Sequence, residues 1–124
     1  MAGIFVQRVF PTLRILDAGE ARGFYVERLG FRVDWEWSHG PGFPVFMQVS
    51  RDGLALYLSS HSGDCQAGGL VYLYVEQVDD WCDDLRRAGV ELEGEPEDQP
   101  WGNREMRLRD PFGNRLCIAT VLPG

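Results

Sequence analysis

The sequence predicts an α+β fold in which two consecutive βαβββ modules form curled mixed sheets. A strand, a helix and three strands follow one another twice within the 124 residues. Gly30 and Gly89 each end a predicted helix and lie about 59 residues apart. A turn at residues 51–53 corresponds in position to a second turn at residues 110–114. The prediction of a repeat therefore rests on the order of the elements, and the two glycines and the two turns lie at corresponding positions.

The first module begins with a predicted strand at residues 4–16, interrupted at Pro11. Asp17 can cap a helix over residues 19–28, whose apolar residues recur at helical spacing before Gly30. Three short strands complete the module, at residues 31–37, 45–50 and 54–59.

The second module repeats this order with a strand at residues 70–75 and a helix at residues 79–88. Its remaining strands are predicted at residues 90–93, 105–109 and 115–121. The acidic run at residues 91–98 is predicted to be a solvated loop beyond the first of them. The chain length fits one domain, which we expect to span residues 1–124 with modules at about 1–60 and 66–124.

Composition narrows the classes of function. No apolar run approaches the ~20 residues of a membrane span, and the first residues lack the pattern of a secretory signal, so we expect a cytoplasmic protein. Cys65, Cys82 and Cys117 are odd in number and widely spaced, which fits reduced thiols and predicts no structural zinc. The net charge of −7 argues against nucleic-acid partners. It fits either attraction of a cationic ligand or simple solubility.

The most distinctive motif occupies residues 99–106, Gln-Pro-Trp-Gly-Asn-Arg-Glu-Met, followed by Arg-Asp-Pro-Phe-Gly-Asn at residues 109–114. It resembles the Pro-Trp-Gly-Arg-Glu and Asp-Pro-x-Gly-Asn segments of the vicinal oxygen chelate superfamily, and within it those of the bleomycin-resistance proteins. Weaker matches agree in order along nearly the whole chain, at Pro11, Phe24-Tyr25, Leu29-Gly30-Phe31 and residues 70–75. Asn103 departs from the pattern as an extra residue, and a bulge there could re-aim Trp101 or Arg104.

The resemblance implies a homodimer in which Pro11 marks an exchanged first strand, with two ligand pockets at the subunit interface. Metal-dependent members of the superfamily place His, Glu or Gln on four strands, and those places fall here on Phe10, Tyr57, Leu70 and Cys117. Most of these side chains are not ordinary ligands of a divalent metal. We therefore expect no metal, no other cofactor and no catalytic residue.

Aromatic side chains suggest stacking on a flat ligand instead, since several lie where core packing does not obviously need them. By resemblance, Trp101 lies in the loop whose tryptophan stacks on the ligand. The residues predicted to bind the ligand are Trp35, Trp37, His39, Phe43, Tyr57, His61, Tyr72, Trp101, Arg104 and Met106. Phe5, Phe24, Phe31 and Phe46 fit core positions better.

Several assignments remain open between two interpretations. Trp35 and Trp37 share one face of an extended strand, which either the core or the pocket could take, and the alternating Asp34 and Glu36 are expected on the opposite face. His39 and His61 fit exposed loop residues or ligand contacts. Arg104 fits an ion pair with Glu105 or a contact to a ligand oxygen.

The predicted function is metal-independent sequestration of a planar, cationic antibiotic of the bleomycin type, which confers resistance. The alternatives are a metal-dependent glyoxalase, dioxygenase or thiol transferase of the same fold, a binding protein for another small molecule, and a partner protein with a vestigial pocket.

Overall fold

The computed structural model describes residues 9–124. The start of the first predicted strand, with Phe5, lies outside the described residues. Within them, the first module contains β1 (Thr12–Arg14), α1 (Ala18–Arg22) with a π-helical continuation (Gly23–Arg28), β2 (Arg32–Ser38), β3 (Val45–Arg51) and β4 (Leu54–Ser59). The second contains β5 (Leu70–Tyr74), α2 (Val78–Arg87), β6 (Leu92–Asp98), β7 (Asn103–Arg109) and β8 (Arg115–Val121).

The two modules have the same topology, which confirms the predicted tandem α+β architecture. One four-stranded sheet has the order β1-β4-β3-β2 and the other the order β5-β8-β7-β6. In each, the first strand runs parallel to the last strand of its module, and the other pairs are antiparallel. Both sheets are therefore mixed, and neither closes into a barrel.

The helix boundaries follow the predicted signals closely. The side chain of Asp17 accepts a hydrogen bond from the backbone N–H of Glu20 at 2.8 Å. Gly30 and Gly89 have φ values of 78° and 79°, a conformation that costs glycine little and so favours it at a helix end. One prediction is wrong, because residues 92–98 of the acidic run belong to β6 and pair with β7.

One hydrophobic core lies on the helix-covered faces of both sheets. The strands alternate between this core and an open face, as the buried Met47 and Val49 of β3 and Leu116 and Ile118 of β8 show. Trp81 and Leu85 of α2 join the same core, as predicted.

Two polar clusters join the modules at their buried boundary. Tyr25 Oη donates to Asp110 Oδ2 at 2.6 Å, and Asn114 Nδ2 donates to the carbonyl of Arg14 at 2.7 Å. The guanidinium of Arg51 lies 3.8 Å from the centre of the Trp81 ring and donates to the carbonyl of Leu29. The modules thus have a fixed relative orientation, and their open faces point away from the shared core. In residues 9–124, no helix is long and apolar enough to cross a membrane.

Candidate ligand-binding site

The open face of the first module carries a cluster of aromatic rings, which we call the first face. Trp35 and Tyr57 both lie beside Gln48 in the registers of β2–β3 and β3–β4. The Trp35 ring stacks on Phe46 with 5.9 Å between centroids and 13° between planes, and it lies 5.7 Å from Tyr57. Trp35 remains 42% exposed, so its ring is open to a ligand. Trp35 and Trp37, for which the sequence left core and pocket as alternatives, therefore lie outside the core on the exposed face.

The same arrangement extends along β2 toward the loop that follows it. Trp37 is 51% exposed, and its ring contacts His39 at 4.6 Å and His61 at 6.4 Å between centroids. His39 in turn contacts Phe43 at 5.9 Å. The structure therefore brings together six of the ten predicted residues on one face, namely Trp35, Trp37, His39, Phe43, Tyr57 and His61.

Asp34 also lies on the first face, against the expectation that it would lie opposite the tryptophans. The pairing of β2 with β3 shifts register between Val33 and Trp35, so the simple alternation fails at this point. Asp34 accepts hydrogen bonds from Gln48 Nε2 at 3.0 Å and from Ser50 Oγ at 2.9 Å.

These two bonds, that from Ser50 first, lower the pKa of Asp34 below its ordinary value. An ionised carboxylate, which also pairs with Arg32 Nε at 3.1 Å, therefore lies on the first face. Glu36 does lie on the helix side, where it pairs with Arg22 of α1.

The open face of the second module, which we call the second face, combines aromatic rings with a buried acid. Tyr72 and Tyr74 of β5 are exposed, with 6.1 Å between their ring centroids. Glu105 of β7 lies beside them and is 3% exposed. Its Oε2 accepts hydrogen bonds from Trp101 Nε1 at 2.9 Å and from Asn103 Nδ2 at 3.0 Å.

The ionised form of Glu105 is stabilised although the side chain is buried. Burial by itself would raise its pKa, but the hydrogen bonds from Trp101 and Asn103 outweigh that effect and leave the pKa below its ordinary value. Cys117 of β8, opposite Tyr72, is fully buried, and burial together with the nearby Glu105 charge raises the pKa of its thiol. The second face therefore presents a carboxylate and an unreactive thiol beneath exposed rings.

The structure corrects two of the predicted ligand-binding residues. Met106 is fully buried in the hydrophobic core. Arg104 lies on the same side of β7 and pairs with Asp79 of α2 and Asp98 of β6, at 3.0 Å in each case, rather than with Glu105. Neither side chain lies on the second face, because alternation along β7 gives that face to Asn103, Glu105 and Arg107.

Sequence reasoning also missed residues that complete these faces. Phe46 was assigned to the core, but it is only partly buried and forms the stacked partner of Trp35. The sequence identifies Asn103 only as an extra residue in the motif at residues 99–106, and Glu105 only as a possible ion-pair partner of Arg104. The alternation of β7 around the buried Met106 could have placed Glu105 on the same side as Asn103.

The expected bulge at Asn103 is absent. The pairing of β7 with β8 is continuous from Asn103 to Arg109, and the irregularities of this sheet lie in β6, on either side of Gly94. The Trp101 loop is closed by a hydrogen bond from the Gln99 N–H to the Asn103 carbonyl at 2.7 Å. The extra residue therefore contributes a strand position and a loop closure.

No three His, Cys, Asp or Glu side chains in the described part of the chain lie close enough together to hold a metal ion. Tyr57 and Cys117, two of the four places carried over from metal-dependent relatives, contact aromatic rings or the Glu105 network instead. The absence of a metal from the working protein stays a prediction.

Comparison with known proteins places the chain in a family. A family model described as "Glyoxalase superfamily protein" matches residues 1–122. The chain belongs to the glyoxalase superfamily, which includes both enzymes and non-enzymatic binding proteins.

The uncharacterized protein YraH of Bacillus subtilis is 30% identical over 121 residues, which cover 89% of this chain and 94% of YraH.

Solved structures give the same result for the fold. A glyoxalase/bleomycin resistance protein/dioxygenase superfamily member from Sphaerobacter thermophilus is 25% identical with a TM-score of 0.73, covering 93% of this chain and 98% of its own. TnmS3 from Streptomyces sp. CB03234, described as an antibiotic binding protein, is 27% identical with a TM-score of 0.74, covering 98% of both chains. Both similarities extend over nearly the full length.

Proposed function

We propose that this protein is a metal-independent binding protein that sequesters a planar, cationic antibiotic of the bleomycin type. The observation that carries the proposal is the exposed stack of Trp35 and Phe46 with the ionised Asp34 beside it. Aromatic faces attract both flat conjugated systems and cations, and a carboxylate next to them strengthens the preference for a positive charge. The antibiotic-binding description of TnmS3, similar over nearly its whole length, supports the same class of ligand.

A dimer supplies the second wall of the proposed pocket. Within residues 9–124, the aromatic contacts of the first face stay within that face, and those of Tyr72 stay within the second. The family resemblance implies two ligand pockets at a dimer interface, and in the proposed dimer the first face of one subunit lies against the second face of its partner. Such a pocket has stacking rings on both sides and one carboxylate in each wall, Asp34 and Glu105.

The energetics are adequate for sequestration. Each offset ring contact contributes about 1 kcal/mol beyond burial, and a nanomolar dissociation constant corresponds to ~12 kcal/mol. Rings on two walls, burial of a flat ligand and attraction to a carboxylate in each wall together reach this range without a covalent step. The negative net charge of −7 speeds the encounter with a cationic drug.

The test is a titration of intrinsic tryptophan fluorescence with metal-free bleomycin in the presence of a chelator. We expect saturable quenching below micromolar drug concentration, weakened at least tenfold in Trp35→Ala and in Trp101→Ala. Leu16→Ala, which removes an apolar side chain that is 70% exposed and lies outside the aromatic contacts of both faces, is the matched control and should bind as the native chain does. Sedimentation velocity of the same samples should give the mass of a dimer.

Other outcomes overturn specific parts of the proposal. A flat response to bleomycin together with binding of another planar ligand would leave a binding protein with a different drug. Stoichiometric divalent metal retained through purification, with loss of binding on its removal, would reverse the metal-independent assignment in favour of a metal-dependent enzyme of this fold.

A further inference from the structure

Glu105 is a buried acid that is bonded almost entirely to side chains of the second face. Its side chain is 2% exposed, and its Oε2 accepts from both Trp101 and Asn103. Its Oε1 lies 3.4 Å from Tyr72 Oη and 4.0 Å from the Arg107 guanidinium, and the Cys117 thiol also hydrogen-bonds the carboxylate. A buried carboxylate is costly unless it is well paired, and the closest of its hydrogen bonds to side-chain nitrogens are those from Trp101 and Asn103.

Trp101 is an exposed ring with one polar anchor. The indole is 60% exposed and follows Pro100 in a loop that is closed at Gln99 and Asn103. Its Nε1–H donates to Glu105 Oε2, a hydrogen bond to an ionised acceptor, which is stronger than one to a neutral acceptor. Without that bond, the two side-chain torsions of an exposed tryptophan are free to change.

Asn103 holds the carboxylate from the other side. Its Nδ2 donates to Glu105 Oε2 and also lies 3.3 Å from Tyr74 Oη, which joins the acid to the exposed ring of β5. Asn103 is 8% exposed and occupies the first position of β7, so its side chain is fixed by the pairing with β8. The residue that departs from the motif of the relatives is therefore part of the support of Trp101.

We propose that Glu105 is a positioning residue that fixes the Trp101 ring before a ligand arrives, and that Asn103 holds Glu105 in place for this role. A ring fixed in advance removes the ordering cost from the binding step, and so raises the affinity for a flat ligand without adding a contact. The structural part of the proposal stands without a ligand, whereas the effect on affinity rests on the proposed function.

The charged and titratable groups around Glu105 define the expected pH dependence. They are Tyr72 and Tyr74 of β5, Arg107 of β7, Cys117 of β8 and the exposed Glu97 of β6. The pKa of Glu105 is below its ordinary value, so the bond to Trp101 weakens as the pH falls through that lowered value.

The test is the ¹⁵N–¹H spectrum of the ligand-free native chain, in which each tryptophan contributes one indole N–H signal. The Trp101 signal is assigned from its loss in Trp101→Phe. We expect it to lie downfield of the other indole signals, to exchange with solvent about tenfold more slowly than that of Trp37, and to titrate with a midpoint below the ordinary pKa of a glutamate.

Variants separate positioning from a general effect of charge or folding. Glu105→Gln keeps the size of the side chain and loses the charge, so the Trp101 signal should move upfield and exchange about tenfold faster. Glu93→Gln removes the same charge from the neighbouring strand, at a carboxylate that pairs with Arg109, and should leave the signal unchanged. Asn103→Ala removes one donor from Glu105, so the midpoint of the Trp101 titration should rise.

The ligand arm uses metal-free bleomycin, and the other planar ligands if bleomycin does not bind. We expect Glu105→Gln to weaken binding about tenfold and to leave the stoichiometry unchanged.

An indole signal of Trp101 that is insensitive to acid and to Glu105→Gln would overturn the proposal, even if the variant still bound ligand less well. If Glu105→Gln does not fold, the acid titrations of the Trp101 signal in the native chain and in Asn103→Ala test the role of Glu105 by themselves. Failure of every ligand to bind would count against the proposed function, while the spectrum would still decide the role of Glu105.

Discussion

Arg104 and Glu105 are neighbours in the chain, and their side chains lie on opposite faces of β7. Arg104 extends toward α2 and pairs with Asp79 at 3.0 Å, whereas Glu105 accepts a hydrogen bond from Trp101 on the open face at 2.9 Å. Adjacent positions of β7 therefore have different roles: Arg104 joins the strand to α2, and Glu105 belongs to the proposed site.

Arg104→Ala should leave ligand affinity within about twofold of the native value, because the side chain does not reach the second face. The lost ion pairs are partly exposed, so the free energy of unfolding should fall only slightly. Fluorescence titration and urea denaturation measure the two quantities. Arg107→Ala, which removes a positive charge from the second face, should instead raise the affinity for a cationic ligand. A tenfold loss of ligand affinity in Arg104→Ala would contradict this prediction and show that Arg104 takes part in ligand binding.

Asp34→Asn should weaken the binding of a cationic planar ligand several-fold and have little effect on a neutral one of similar shape. The amide keeps the size of the side chain and loses only the charge beside Trp35. Isothermal titration with one ligand of each charge measures the difference. Glu36→Gln, on the helix side of the same strand, is the charge-matched control.

The pH dependence of Asp34 has a definite sign. Its pKa lies below the ordinary value of 3.8, so its charge is present above that pH and is lost as the pH falls through the lower folded value. Affinity for the cation should therefore vary little between pH 8 and 5 on account of this group. A fall in affinity centred near neutral pH would show that a group other than Asp34 controls the binding of the cation.

Arg51→Lys should destabilise the fold by about 2 kcal/mol, since one ammonium cannot replace the three contacts of the guanidinium. Arg51 donates to the Leu29 carbonyl at 2.6 Å and to Asp84 Oδ2 at 2.9 Å, and it stacks on Trp81. Urea denaturation followed by far-ultraviolet circular dichroism measures the loss. Arg87→Lys, at the exposed partner of the same Asp84, should change stability by less than about 0.5 kcal/mol. Equal effects of the two changes would contradict a special role for the stacked arginine.

Tyr25→Phe should lower the free energy of unfolding by about 1–3 kcal/mol at pH 7, because a buried acceptor loses its donor. Asp110 keeps its bonds from the backbone of Phe112 and Asn114, which limits the loss. Tyr74→Phe, at an exposed ring with a longer contact, is the control and should have a smaller effect. Chemical denaturation of the two variants side by side checks the difference.

The same tyrosine predicts a loss of stability in alkali. Burial, followed by the charge of Asp110, raises the pKa of Tyr25 well above its ordinary value of 10.0. The stabilisation that the neutral Tyr25 hydroxyl contributes is complete below its ordinary pKa of 10.0. It is lost as the pH rises from there toward the higher pKa of the folded state, because the tyrosine ionises first in the unfolded chain. Denaturation midpoints between pH 8 and 10.5 should fall less steeply in Tyr25→Phe. Parallel curves for both proteins would show that this hydroxyl is not the group responsible.

The elements of the fold were predictable because their signals are local. Asp17 caps its helix through a neighbouring N–H, and Gly30 ends it in a left-handed conformation that other residues adopt at a cost. The second helix was predictable from Trp81 and Leu85, four residues apart, and from the stop at Gly89. Except for Phe46, the aromatic residues of the first face were likewise recognisable, since exposed rings in polar strands and loops fit the core poorly.

Only the tertiary structure decided which side chains share a face. A register shift in β2 moves Asp34 next to Trp35, and regular pairing of β7 directs Met106 and Arg104 to the core side while Asn103 and Glu105 support Trp101. The physical reason is the two-residue period of a strand, in which one extra or missing residue exchanges the faces of everything beyond it. The sequence by itself determined the two modules, their caps and their stock of exposed rings. Pairing between strands determined which side chains form each wall. Register is the alignment of two strands with each other, so the sequence of one strand does not specify it.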